Sequence, residues 1–223
     1  MEDLNFKPKA IIFDLNGTMI DDMKYHTLAW HSIMNDDLGA NLAYETVKKE
    51  MYGKNHEVLE RVFGKNKFSA AEVEKLSFDK EKRYQEGYFP HLALIDGLDN
   101  FLERAKEDNI AMAIGSAAIP FNIDFVVDGL NIRNYLAAIV SADDVLTSKP
   151  DPETFLKAAE ALGIQPDDCL VFEDAPKGVE SALNAGMKCI VLTTTHKIEE
   201  FDEYSNVLAF IADYHDEKLN SLF

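Results

Sequence analysis

The 223-residue chain has few cysteines and no long apolar run, and both shortages exclude classes of protein. Its two cysteines, Cys169 and Cys189, lie in or beside apolar strand-like runs, which favours buried free thiols over a disulfide or redox pair. The longest apolar stretch, near residues 110–121, is too short to span a bilayer. The opening residues MEDLNFKPK lack the apolar core of a signal peptide, so we expect a cytoplasmic protein.

Positive charge is also scarce. Lysine and arginine number 22 against 40 aspartates and glutamates, which gives a formal net charge of −18. Such a surface repels nucleic acid and anionic membranes, so neither is an expected partner, and the sequence implies no protein partner. Because it repels phosphorylated molecules as well, a phosphate site in this chain would need a local cation.

Strand and helix patterns alternate along most of the chain. Lys9–Asp14 reads KAIIFD, a short apolar run that suits a buried parallel strand, and after Pro90 strands and helices alternate to the end. Repeated β-α units predict a parallel sheet with helices on both faces. The predicted fold class is therefore α/β, with a Rossmann-like parallel sheet as its core.

A block of consecutive helix patterns interrupts this alternation. Leu28, Ile33 and Met34 can share one apolar helix face, and Ser69 with Glu72 forms a capping box that opens a later helix. We interpret the block as an inserted all-helical cap. The predicted domains are an α/β core of residues 1–21 and 92–223 and a helical cap of residues 22–91.

Polar side chains follow four of the predicted strands. They are Asp14, Ser116, the pair Asp143 and Asp144 with Lys149 just beyond, and the pair Glu173 and Asp174. In an open parallel sheet, reactive groups collect at the carboxyl ends of the strands, so this set predicts one site. The alternatives are that Thr18 and Ser116 cap helices and that Lys149 is a solvated loop lysine.

Four segments resemble, in order, the motifs of haloacid-dehalogenase-type hydrolases. They are FDLNGT at Phe13–Thr18, IGS at Ile114–Ser116, SKPDPETF at Ser148–Phe155 and FEDAPKGVESALNAGM at Phe172–Met187. The insertion, which opens DDMKYHTLAWHSI, is similar to the helical cap of the β-phosphoglucomutase-like group. The resemblance implies a Mg²⁺-dependent phosphatase of small phosphorylated metabolites.

The resemblance also implies a role for each motif residue. Asp14 would attack phosphorus to form an aspartyl-phosphate, with Lys149 and Ser116 holding the transferring phosphoryl group. The Mg²⁺ ligands would be Asp14, the backbone carbonyl of Asn16, Glu173 and Asp174.

Asn16 departs from the family pattern, which normally has an aspartate there as the general acid/base. An amide cannot donate or take up the proton, and such catalysis is commonly worth ~10²–10⁴-fold. His26, at a position where the family usually has a histidine on the cap, is the alternative proton carrier because histidine titrates near neutral pH.

Two cations expected of a sugar phosphomutase are missing. The cap stretch MYGKNHEVL has His56 where phosphoglucomutase-like members carry an arginine, and SAAIP after the second motif supplies no lysine. We therefore favour a phosphatase. The alternatives are a β-phosphoglucomutase-like mutase and, because of Asn16, a catalytically weak phosphate-binding protein.

Overall fold

Six short apolar segments form one parallel sheet in the computed structural model, which describes residues 4–223. The strands are β1 (Ala10–Phe13), β2 (Ala111–Gly115), β3 (Ala138–Val140), β4 (Cys169–Glu173), β5 (Lys188–Leu192) and β6 (Val207–Ile211). Their order across the sheet is β3-β2-β1-β4-β5-β6. The chain builds outward from β1 in one direction and then in the other, so the order reverses at β1.

Four helices flank this sheet. They are α5 (Leu98–Glu107), α6 (Pro120–Gly129), α7 (Glu153–Leu162) and α8 (Pro176–Asn184), counted after the four helices of the insertion. Alternate residues of the central strands point to opposite faces of the sheet, and the residues on both faces are buried. On one side Ile12 and Val171 pack with Phe155 of α7, while on the other Phe13 and Phe172 pack against Phe101 of α5. The predicted α/β fold class is confirmed.

The chain divides into two compact units. One contains the described residues up to Asp21 together with Ala93–Phe223, and the other is Asp22–Leu92. The second unit is all-helical, as the sequence pattern predicts. Its helices are α1 (Met23–Ser32), continued by a π-helical turn over Ile33–Asp37, then α2 (Tyr44–Lys48), α3 (Asn55–Phe63) and α4 (Ala70–Tyr88).

The helical unit has its own apolar core, formed by Trp30, Ile33, Met34, Val47, Val58 and Leu59. The predicted placement of Leu28 on the same apolar face is wrong, since the residue is 44% exposed. The capping box is confirmed: Glu72 accepts from the Ser69 backbone N–H, and the Ser69 hydroxyl accepts from the Glu72 N–H. Both cysteines are buried free thiols, as predicted.

The two segments that leave and re-enter the α/β unit run side by side. The backbone N–H of Ile95, which follows the insertion, donates to the carbonyl of Met19, which precedes it, at 2.9 Å. The C-terminal segment contacts the same region, because the Tyr214 hydroxyl donates to the Thr18 carbonyl at 3.0 Å. These bonds fix the stretch that follows β1.

Candidate active site

Polar side chains gather at the carboxyl ends of β2, β1 and β4. Asp14 directly follows β1, and its N–H donates to the Phe172 carbonyl at 2.9 Å, which extends the β1–β4 ladder by one residue. Ser116 follows β2, and Glu173 ends β4. Because β1 lies between the other two strands, Asp14 lies at the point where the strand order reverses. Open α/β sheets bind their ligands at such a point.

Lys149 is a largely buried cation held between two carboxylates. Its Nζ donates to Asp14 Oδ1 at 2.6 Å and to Glu173 Oε1 at 2.8 Å, and its side chain is 9% exposed. Burial lowers the pKa of Lys149, but the charges of Asp14 and Glu173 outweigh burial and raise the pKa above its ordinary value. The solvated-lysine alternative is therefore excluded. Lys149 is a local cation of the kind that a phosphate site in so acidic a protein would need.

Three carboxylates, those of Asp14, Glu173 and Asp174, form an acidic cluster. One oxygen from each lies within 4.8 Å of the others, so the group could hold a metal ion. Burial and the negative charges of Glu173 and Asp14 raise the pKa of Asp174 well above its ordinary value. A divalent cation would relieve this repulsion, and hard oxygen donors are the ligands that Mg²⁺ prefers. The residues present thus fit such a cation.

Glu173 is held by backbone donors as well as by Lys149. Its Oε2 accepts from the N–H groups of Asp174 and Ala175, at 2.8 and 2.9 Å. Room for the carboxylate comes from Gly178 in α8, where an added Cβ would lie 1.7 Å from Glu173 Oε1. A glycine inside a helix usually weakens the helix. The close approach of Glu173 explains why a glycine is nevertheless present at position 178.

Asp174 is surrounded by hydroxyl donors and by the backbone that follows β1. The Thr195 hydroxyl donates to its Oδ2, and the Thr18 hydroxyl lies 3.4 Å from its Oδ1. Gly17 has a φ of +80°, and a Cβ there would lie 2.2 Å from Asp174 Oδ2. Only glycine satisfies both the left-handed backbone and this close approach.

Asn16 lies in the tight turn between Asp14 and Gly17. Its backbone forms an isolated bridge with Ile20, and the Gly17 N–H donates to the Ile20 carbonyl at 2.8 Å. The turn therefore places an amide, two residues after Asp14, where the predicted acid/base carboxylate would be. The predicted metal contact of the Asn16 carbonyl stays a prediction.

Neither Ser116 nor Thr18 caps a helix. The Ser116 hydroxyl accepts from the Ala118 N–H at 3.1 Å in the turn after β2, and the residue is 1% exposed. Its N–H donates to the Val140 carbonyl of β3. Thr18 directs its hydroxyl to Asp174 instead. Both residues belong to the strand-end region that the sequence indicates.

His26 belongs to the helical unit, and both of its ring nitrogens have partners there. Nδ1 lies 2.7 Å from Lys80 Nζ, and Nε2 lies 3.2 Å from Asp22 Oδ2. Nδ1 is thus paired with the Lys80 amine, and Nε2 faces the carboxylate of Asp22. The imidazole also stacks on Tyr84, with ring centroids 3.7 Å apart and an interplanar angle of 8°.

Sequence reasoning missed several residues that shape the site. Thr194 and Thr195 follow β5, and the Thr194 hydroxyl donates to the Gly17 carbonyl at 2.5 Å. Tyr214 and Gly178 come from still other segments. The contacts of Thr194 and Thr195 depend on β5 lying beside β4, an order that the sequence does not give, and nothing in the sequence indicates the position of Tyr214.

No helix among residues 4–223 combines the length and apolar character needed to cross a membrane. Residues 11–192 match the model of the haloacid dehalogenase-like hydrolase family, which covers most of the chain. The matched stretch includes all seven site residues predicted from the sequence.

Individual relatives support the family match. The chain is 33% identical to β-phosphoglucomutase of Bacillus subtilis over 190 residues, which cover 80% of each protein. It is 28% identical to a fructose-1-phosphate phosphatase of Escherichia coli, over 81% of this chain and 94% of the relative. Its fold matches the crystal structure of a HAD hydrolase of family IA from Entamoeba histolytica with a TM-score of 0.84 and 25% identity, over 96% and 98% of the two chains.

Proposed function

Since the chain belongs to the haloacid dehalogenase-like hydrolase family, we propose that it is a Mg²⁺-dependent phosphatase of small phosphate monoesters that acts through an aspartyl-phosphate. The observation that carries the proposal is the Asp14–Lys149 pair beside the acidic cluster, at the strand end where the sheet order reverses. A nucleophile, a cation and a metal-ligand set lie within one small region.

Asp14 is the proposed nucleophile. Its carboxylate attacks phosphorus and the bond to the ester oxygen breaks, which leaves an aspartyl-phosphate and an alkoxide that must take up a proton. Water then cleaves the acyl phosphate and releases inorganic phosphate. Two negative groups approach each other in the first step, so the ammonium of Lys149 is needed to offset their repulsion.

Asp14, Glu173, Asp174 and the Asn16 carbonyl would hold Mg²⁺, which when bound supplies further positive charge to the phosphoryl oxygens. Ser116 would donate its hydroxyl to one of those oxygens. The leaving oxygen must take up a proton, and this chain lacks the carboxylate that usually donates it. His26 is the alternative carrier that we propose, although its ring nitrogens are engaged by Lys80 and Asp22.

A sugar phosphomutase is the second candidate. Its support is the 33% identity to a protein named β-phosphoglucomutase. Such an enzyme must hold a sugar with phosphate at both ends, and His56 with the stretch after Ser116 supplies fewer fixed cations than that requires. Hydrolysis is therefore the better match.

Phosphate release from a panel of sugar phosphates and other small monoesters tests the proposal, with Mg²⁺ present and with EDTA. We expect Mg²⁺-dependent release that Asp14→Ala abolishes. In parallel, β-glucose 1-phosphate with a bisphosphate primer should yield little glucose 6-phosphate, and efficient conversion would establish the mutase instead. Phosphate binding without turnover on any substrate would favour the binding-protein alternative.

A further inference from the structure

The loop after β5 contacts the acidic cluster, although no motif points to it. Thr195 donates its hydroxyl to Asp174 Oδ2, and the same oxygen atom of Thr195 lies 3.1 Å from the Asp174 carbonyl. The adjacent Thr194 bonds the Gly17 carbonyl. Two successive hydroxyls of one loop thus hold the Asp174 carboxylate, directly after β4, and the turn after β1.

The Thr195 hydroxyl is itself oriented by a neighbour. His196 Nδ1 lies 2.8 Å from Thr195 Oγ1 and 3.2 Å from the Asp174 carbonyl. Because the hydroxyl hydrogen is directed to Asp174, the hydroxyl oxygen accepts from His196 Nδ1–H. The imidazole thus donates to the hydroxyl, and the hydroxyl donates to the carboxylate.

The Asp174 carboxylate needs such a restraint. It is 4% exposed and shares its surroundings with the carboxylates of Asp14 and Glu173, which repel it. Thr18 contributes only a long contact of 3.4 Å to the other oxygen. The bond from Thr195 to Oδ2 is therefore the stronger restraint on rotation of the carboxylate about its Cβ–Cγ bond.

We propose that Thr195 is a positioning residue whose hydroxyl holds the Asp174 carboxylate in the orientation that binds the divalent cation. The proposal rests on the metal site of the proposed function and extends it to a residue outside the four motifs. Hydrogen-bond partners of metal-binding carboxylates typically contribute 10–100-fold to metal affinity, which sets the size of the expected effect.

Direct Mg²⁺ titration by calorimetry, in the absence of substrate, tests the proposal. Thr195→Val should weaken Mg²⁺ binding by roughly 10–100-fold, whereas Thr195→Ser, which keeps the hydroxyl, should stay within about 3-fold of the original protein. Thr193→Val is the matched control, since the Thr193 hydroxyl bonds the Ile211 carbonyl of β6 instead of Asp174. It should leave the Mg²⁺ affinity unchanged.

Turnover provides a second readout. If Thr195 only positions a ligand, a high Mg²⁺ concentration should restore most of the kcat of Thr195→Val, because saturation compensates for lost affinity. Thermal melting of the metal-free variants checks that each is folded, and Thr195→Ala replaces the valine variant if valine prevents folding. Unchanged Mg²⁺ affinity in both apolar variants overturns the proposal.

The Asp174→Ala variant separates this proposal from the proposed function. If Mg²⁺ binds the original protein and Asp174→Ala removes binding while Thr195→Val does not weaken it, only the role of Thr195 is wrong. If the original protein binds no Mg²⁺, the metal assignment of the proposed function is wrong and the role of Thr195 fails with it.

Discussion

Asn16 is the residue at which a single substitution should raise the rate of the proposed reaction. It lies in the turn after β1, two residues beyond Asp14, at the position predicted for the acid/base carboxylate. We expect Asn16→Asp to raise kcat by ~10²-fold or more, as restored acid/base catalysis predicts. Steady-state phosphate release on one good substrate, with saturating Mg²⁺, measures the change.

His26→Ala is the companion variant. His26 can carry the proton only if the contact with Lys80 or with Asp22 is given up, so we expect Asn16 to be the larger determinant of rate. Little change in Asn16→Asp combined with loss of activity in His26→Ala would contradict that expectation and assign the proton to the histidine. Persistence of the aspartyl-phosphate in all variants would favour the phosphate-binding protein.

The strand-end residues could be predicted from the sequence because β-α alternation fixes where each strand ends. Asp14, Ser116, Glu173 and Asp174 needed only that reasoning. Thr195 and Tyr214 could not be found in the same way, because their contacts depend on how distant segments cross. Leu28 shows a related limit. Helical periodicity predicts which side of a helix is apolar, but packing decides which residues at the edge of that side are buried.

The segment that carries Lys149 is anchored to the start of α7. Glu153 Oε2 accepts from the N–H groups of Leu146 and Thr147, and its Oε1 pairs with Lys157 at 2.7 Å. The bond from Lys157 and the backbone donor of Thr147 lower the pKa of Glu153 to about 2. A depressed pKa means that the ionised side chain stabilises the fold.

This stabilisation has a defined pH range. It is fully present above the ordinary value of 4.5 and is lost as pH falls through the folded-state pKa of about 2. Glu153→Gln should therefore lower the free energy of unfolding most near neutral pH, with a difference from the original protein that shrinks as pH falls below about 4. Urea unfolding over this range measures it.

Glu160→Gln, at an exposed position of the same helix, is the control and should show no such pH-dependent difference. A difference between Glu153→Gln and the original protein that stays constant down to the acid transition would contradict the assignment.

Two helical glycines should respond oppositely to alanine. In α4, a Cβ at Gly87 would lie 3.8 Å from Tyr25, an ordinary contact, so Gly87→Ala should stabilise the helical unit by about 0.5–1 kcal/mol. In α8, the same change at Gly178 meets Glu173 and should destabilise by about 1–3 kcal/mol despite the better helix propensity. Urea unfolding measures both.

Gly178→Ala should also weaken Mg²⁺ binding, since the displaced Glu173 carboxylate belongs to the acidic cluster. Normal stability and metal affinity in this variant would show that α8 can shift to accommodate the methyl group. Gly87→Ala lies in the other unit and controls for general effects on metal binding.

The net charge of −18 acts on every anionic substrate before it reaches the site. Screening weakens this repulsion, so kcat/KM for a phosphate monoester should rise as NaCl increases from about 10 to about 150 mM. Stopped or continuous phosphate-release assays at low substrate concentration measure it, with sucrose as an uncharged control solute. A fall with salt would mean that the local field of Lys149 outweighs the overall charge.

The α/β architecture could be predicted for the whole chain because each β-α unit has a strong local pattern. The order of strands across the sheet could not, since β1 has no sequence mark that distinguishes a central strand from another buried one. Because the strand order is not predictable from the sequence, the contact between the loop after β5 and the end of β4 is not predictable either.

The bond between Ile95 and Met19 shows that the helical unit enters and leaves the α/β unit at neighbouring points. For the sheet domain, the insertion is equivalent to a loop whose ends are already joined, and the entropy of closing such a loop grows only slowly with its length. Helical modules of very different size and surface could therefore be exchanged at this junction without redesigning the strands. The junction is therefore the place where the length of the insertion can change with the least effect on the sheet.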